Sequence, residues 1–203
     1  MNEYAFYGEV RSKLFRGKLS TGAYNTIKEI LEECRERKVY DYRHQAYILS
    51  TCYWESYSYA KNPDWNPVRE GFATTNQGAI NAVTALYKAG KVKSNYALPQ
   101  SNGKSYYGRG YTQISLPDNY KQAGDYYGIP LYDNPDLALQ RPIATLLLVG
   151  GIMEGWWTGK KLTDYITTTN TDFLGARRTV NGTDKAKEIE KIAMIFYSAM
   201  ILL

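Results

Sequence analysis

Three carboxylates fall within a short stretch of this 203-residue chain: Glu55, Asp64 and Glu70. Residues Ala46 to Trp54 carry no charge, so a helix here is buried on nearly every side, and Glu55 ends that run. A carboxylate leaving the C-terminal turn of a buried helix meets desolvation and the negative end of the helix dipole. Both disfavour its anion, which is the condition of a general acid. Glu70 follows beyond Pro63 and Pro67, next to Arg69, whose charge favours an ionised carboxylate. Two carboxyls pushed in opposite directions form an acid and base pair. Asp64 lies between them and competes with Glu70 for the second role. The ordinary alternative for each is a solvated or salt-bridged surface group.

Composition narrows the chemistry to those carboxylates. One histidine, His44, leaves no His-based triad and no histidine metal cluster. Cys34 and Cys52 lack metal-ligand or redox spacing and read as two buried thiols. No metal and no cofactor is expected. Twenty tyrosines and four tryptophans suit a sugar-binding surface, each ring offering an apolar face and a polar edge. A net charge of +5 and a pI of about 9.0 favour encounter with polyanions. The basic residues form no stripe interleaved with aromatics, so nucleic-acid binding is not expected. The N-terminus lacks an apolar signal core, and no apolar run reaches the ~18 residues of a membrane span. A protein made in the cytoplasm is the expectation.

These residues need helices to hold them. Thr21 can cap a helix with apolar positions Ala23, Tyr24, Ile27, Ile30, Leu31 and Cys34, and Asp41 can start the buried helix. Thr75 or Asn76 begins a third, ended by Gly90. Pro117 opens a fourth, which Gly128 stops. The apolar run after Pro142 is a further helix, in which Gly150 and Gly151 permit close packing or a kink. The last helix is the clearest, with Ile189, Ile192, Ala193, Phe196, Tyr197, Met200 and Ile201 in one stripe. Between Lys91 and Ser115 a Gly-, Ser- and Asn-rich stretch leads into YYGRGYTQIS, which reads as a long loop entering a short strand or hairpin. Gly108-Arg109-Gly110 lacks the Lys-Ser/Thr of a phosphate loop and reads as a tight turn where backbone approaches a ligand. The chain forms one domain, 1–203, with no separate binding module.

The order WES, PVREGFA, YYGRGYTQIS with Asn119-Tyr120, NPDLAL and ARRTVNGTDKA resembles glycoside hydrolase family 19, in particular its compact lysozyme-like endolysin and chitinase branch. The resemblance covers about Tyr42 to Ala199 and implies a mainly α fold, two lobes around a cleft with a small β-hairpin. It implies Glu55 as the acid that protonates the departing sugar oxygen and Glu70 as the base that activates water, with Ser115 holding that water. It implies Gln113, Asn119 and Asn181 as substrate-lining residues, and tyrosines such as Tyr106, Tyr107 and Tyr111 are expected beside them from their ring chemistry. Two departures stand out. Trp54 occupies the position where family members usually carry His, and YSYAKNPDW lengthens the spacing from Glu55 to Glu70, which keeps Asp64 in contention as the base.

The expected activity is a monomeric peptidoglycan-degrading endolysin that cuts β-1,4 bonds between N-acetylated amino sugars with inversion, acting on the cell wall after release from the cytoplasm. By the resemblance, a water between the carboxyls requires them to stand roughly 6.5–9.5 Å apart. A chitinase and a catalytically inactive wall-binding or virion module are the alternatives.

Overall fold

The computed structural model describes residues 1–202, and its chain forms two compact units. The first comprises Met1–Trp65 and the chain from Leu148 onward; the second is Asn66–Leu147. The fold is mainly α, with seven α-helices and one two-stranded sheet among the described residues.

In the first unit, α1 (Glu3–Leu14), α2 (Thr21–Glu36) and α3 (Tyr42–Ser56) each begin at a side-chain cap. Asn2, Ser20 and Asp41 accept from the backbone N–H groups of Ala5, Ala23 and Arg43, satisfying donors that a helix start leaves open. Ser20, rather than Thr21, is the cap of α2. α3 is buried as its composition implies, and it packs against α7 (Ala186–Met200), which also meets α1. Two of its buried polar side chains pair with nearby carbonyls, Ser56 Oγ donating to that of Cys52 at 2.7 Å and Gln45 Nε2 to that of Val39 at 2.8 Å, while Tyr47 Oη and Thr51 Oγ1 are buried without a hydrogen-bond partner among the described residues. Trp65 is fully buried and donates from Nε1 to Ser56 Oγ at 2.9 Å, fixing the chain that leaves α3. Cys34 and Cys52 are free, buried thiols, and burial pushes that of Cys34 up to about 12. Helix α6 (Arg141–Glu154) ends in this unit, and Trp157 lies where a side chain at Gly151 would collide with its ring.

α1 carries a glycine in mid-helix, Gly8, and a Cβ built there meets nothing within 4 Å. No packing constraint offsets the helix cost of glycine. Gly8→Ala is expected to stabilise the protein by about 0.5–1 kcal/mol, read as a higher thermal midpoint.

The second unit holds α4 (Asn76–Lys88), α5 (Pro117–Tyr127) and the start of α6. Thr75 caps α4, and Gly128 ends α5 in the left-handed conformation at φ 66°. Its sheet pairs β1 (Val68–Arg69) antiparallel with β2 (Arg109–Gly110), Val68 opposite Gly110 and Arg69 opposite Arg109. The short strand expected in the YYGRGYTQIS segment is β2, its partner is a strand some forty residues earlier, and within the segment Arg109 forms a bridge with Ile114. Ala79, Val83, Ala97 and Tyr107 form a buried apolar cluster.

Beside that cluster lies an ionic knot. Arg109, with 3% of its side chain exposed, donates to Asp136 at 2.7 Å, to the Ser105 carbonyl at 2.9 Å and to Tyr120 Oη at 3.2 Å. Its guanidinium also lies 3.7 Å from the centroid of the Tyr107 ring. Arg69 reaches the other Asp136 oxygen at 3.0 Å. Burial opposes charge on Asp136, but the hydrogen bonds and charges of Arg109 and Arg69 outweigh it and hold the carboxyl below the usual range.

Candidate active site

Glu55 occupies the last turn of α3, and its carboxylate is not the lone group the sequence suggests. Arg177, 122 positions later, donates from Nη1 to Oε1 at 2.6 Å. Only 4% of the Arg177 side chain is exposed, against 21% of the Glu55 side chain. A second bond, Arg177 Nε to the Asp184 carbonyl at 3.0 Å, fixes the guanidinium. The geometry is an oriented carboxylate at a partly open surface, held from the buried side by one rigid donor. Trp54, standing where the resemblance would place His, is exposed and forms no part of this contact.

Glu70 belongs to the second unit, directly after β1. Its backbone N–H donates to the Gly108 carbonyl at 2.8 Å, which prolongs the β1–β2 ladder by one step. Its carboxylate Oε2 accepts from the Gly108 N–H at 3.2 Å and from Tyr96 Oη at 3.1 Å. Burial, and then the Glu70 charge beside it, push the Tyr96 phenol far above its ordinary range, so it stays a donor. Arg69, expected to be the charge partner of Glu70, instead bonds Asn76 and Asp136. Successive residues of a strand point to opposite faces, and Arg69 points away.

Gly108 explains the Gly-Arg-Gly sequence. A Cβ there would stand 2.7 Å from Glu70 Oε2 and 2.9 Å from Gln113 Oε1, both movable side-chain ends. Gly110, at φ 84°, meets the Ala138 carbonyl, so the close approaches at these glycines are to protein groups, where a ligand was expected. Gly108→Ala is expected to leave the fold within about 1 kcal/mol of the parent while displacing the Glu70 carboxylate. Misplacement of a reacting group costs activity steeply, and a fall of about 10²-fold in kcat is the expected reading alongside an unchanged melt.

The other expected residues are distributed unevenly. Gln113 donates from Nε2 to the carbonyls of Val68 and Gly110, at 3.0 and 2.9 Å, and thereby ties β1 to the β2 turn. Asn119 donates to the Ser115 carbonyl at 2.8 Å, bracing the start of α5. Both amide nitrogens are committed to backbone, and Ser115 is half-buried beside them. Tyr106, Tyr107 and Tyr111 are fully buried and present no surface to a sugar. Tyr106 donates to the Tyr132 carbonyl, and Tyr107 to Asn76. These three rings are packing, a correction to their expected place on the substrate. Asn181 is exposed and accepts from the Gly182 N–H at 2.8 Å. Neither residue takes a positive φ; the left-handed position of that turn is Lys185, at φ 60°. Asp64 is exposed in the first unit, its backbone pressed against Gly22 of α2. Glu154 pairs with Arg37 at 2.9 Å as a structural acid.

Arg177 and Tyr96 carry no site role in the sequence, and Gly108 only that of a turn where backbone approaches a ligand. Arg177 stands beside Arg178, and the sequence does not tell which of the two turns inward. Tyr96 had no signal.

An endochitinase of Brassica napus is 37% identical over 78 residues, 36% of this chain and 24% of its own length. An endochitinase of Arabidopsis thaliana is 32% identical over 108 residues, 50% of this chain and 36% of its own. The chain thus spans between 14% and 36% of the length of these and similar curated endochitinases. A bacterial family 19 chitinase of known structure superposes with a TM-score of 0.52 at 19% identity, covering all of this chain and 95% of that one, and so shares its fold. The family described as chitinase class I matches residues 41–158, which include both Glu55 and Glu70. With more than half of its length matched, the chain belongs to glycoside hydrolase family 19.

Proposed function

We propose that the protein hydrolyses β-1,4 bonds between N-acetylglucosamine units of a chitin-type glycan. The observation that carries this reading is Glu55 at the end of a buried helix within the stretch matched by the family, its carboxylate oriented by Arg177 from beyond that stretch. In this reading Glu55 protonates the departing glycosidic oxygen, and Glu70 takes a proton from the attacking water, so that one displacement inverts the anomeric centre. Tyr96 and the Gly108 N–H hold Glu70 as an acceptor. Ser115 positions the water, and Asn181 and the free amide oxygens of Gln113 and Asn119 meet substrate.

Peptidoglycan, with the same β-1,4 linkage and an anionic character, is the second reading; the net charge of +5 favours it. The chitinase relatives favour chitin. The test is proton NMR of the anomeric signals during turnover of a soluble N-acetylglucosamine hexamer. Initial appearance of the α-anomer supports inversion, and first appearance of the β-anomer contradicts it. Under the same conditions Glu70→Gln is expected to lose about 10²–10⁴-fold in rate and Asp64→Asn less than about threefold. The reverse ranking would transfer the base to Asp64.

A further inference from the structure

The N-terminal helices, which precede the matched stretch, hold a cavity of about 440 Å³ in the first unit. Tyr4, Tyr7, Gly8 and Arg11 line it from α1, at the i, i+3, i+4 and i+7 spacing of one helix face, and Thr21 and Tyr24 line it from α2. The Tyr7 and Tyr24 rings stand 4.6 Å apart at 40°, forming a bent aromatic wall. Tyr4 is 93% exposed and Tyr24 37%, far more than the core tyrosines of this chain. Arg11 is exposed, and its guanidinium has no ion pair or hydrogen bond among the described residues.

Gly8 is the second observation. A glycine in mid-helix weakens the helix and ordinarily answers to a close neighbour or a function, and here no atom lies within 4 Å of where its side chain would be. Its effect is to keep the floor of the groove open. No carboxylate lines the cavity, while one free guanidinium does, a set complementary to an acceptor-rich ligand and adverse to a cation. A pyranose ring fits this chemistry: its C–H face stacks on tyrosine, and its hydroxyl and acetamido oxygens accept from Arg11 and the phenols. The volume lies in the range of small-ligand sites.

We propose that this groove is a second glycan-binding site, taking an N-acetylated β-1,4-linked polymer away from the site of hydrolysis. The inference rests on the proposed function for the choice of polymer. A second attachment to the same polymer raises the local concentration of substrate bonds and retains the protein on an insoluble wall.

Depletion from suspensions of insoluble chitin and of purified peptidoglycan sacculi tests it, with Glu55→Gln as a non-cleaving parent. Gly8→Leu, which fills the groove and favours the helix, and Tyr4→Ala with Tyr24→Ala, which removes its exposed walls, are compared with that parent. Both variants are expected to bind one polymer about fivefold more weakly, with Gly8→Leu melting no lower than the parent. The polymer on which binding falls identifies the source of the glycan. Equal binding by parent and variants on both polymers, or no binding by the parent, overturns the proposal. Turnover of the soluble hexamer by the wild type tests the hydrolase reading separately: its absence would end that reading, while the depletion comparison still decides the groove.

Discussion

Glu55→Gln is expected to lower kcat on a soluble N-acetylglucosamine hexamer by about 10²–10⁴-fold, the contribution of a positioned general acid. The amide has no proton acidic enough to give to a leaving oxygen, yet its carbonyl still accepts from Arg177, so the local geometry survives. The change leaves Arg177 buried without a counter-charge, which is expected to cost about 1–3 kcal/mol of stability. Rates are therefore compared well below the variant's melting temperature. A fall in kcat with little change in KM would identify a group acting in the transition state. A rise in KM alone would make Glu55 a binding residue.

The largest expected loss of stability comes from Arg109→Ala. Its guanidinium is almost wholly buried and joins Asp136, the Ser105 carbonyl, Tyr120 and the Tyr107 ring, which together connect β2 to α5 and to the 135–139 turn. Removing it leaves Asp136 with Arg69 as its remaining charge partner and empties the space over Tyr107. A cost of about 3–5 kcal/mol is expected from equilibrium denaturation in urea, a large part of the roughly 5–15 kcal/mol of a typical domain. Arg109→Lys keeps the charge but not the planar fork and is expected to recover less than half. The pH dependence follows with a definite sign. Because the carboxyl of Asp136 is held below its ordinary value, its contribution is present above the unfolded carboxylate pKa, near about 3.9, and is lost as pH falls through the folded value. Asp136→Asn should flatten that acid limb.

Local signals made several elements legible. The uncharged run before Glu55 is a buried helix, Thr75 and Asp41 are caps, Pro117 and Gly128 bound α5, and the apolar stripe of α7 packs on α1 and α3. In each case the signal lies within the element's own residues or at its ends. α1 escaped because its buried residues, Phe6, Val10 and Leu14, form a stripe only one residue wide per turn, and tyrosines on its other faces blur the pattern. Partnerships across the chain were not legible. Arg177 meets Glu55 over 122 positions. Arg69 is next to Glu70 in sequence, but the strand alternation sends it to Asp136. The abundance of tyrosine suggested a sugar surface, yet Tyr106, Tyr107 and Tyr111 are buried, because composition does not tell a stacked wall from a packed core. The exposed tyrosines lie instead at places such as Tyr4 and Tyr24, before the stretch that carries the family match.

Mass spectrometry of fragments released from insoluble chitin and from purified peptidoglycan, after borohydride reduction to mark new reducing ends, tests the central claim most directly. Wild-type protein is expected to release reduced N-acetylglucosamine-terminated oligomers from chitin, and Glu55→Gln almost none. Labelled glycan ends from peptidoglycan alone would move the substrate to the cell wall. Intact glycan from both polymers, with a folded protein shown to bind them, would contradict the assignment of this chain as a working glycosidase.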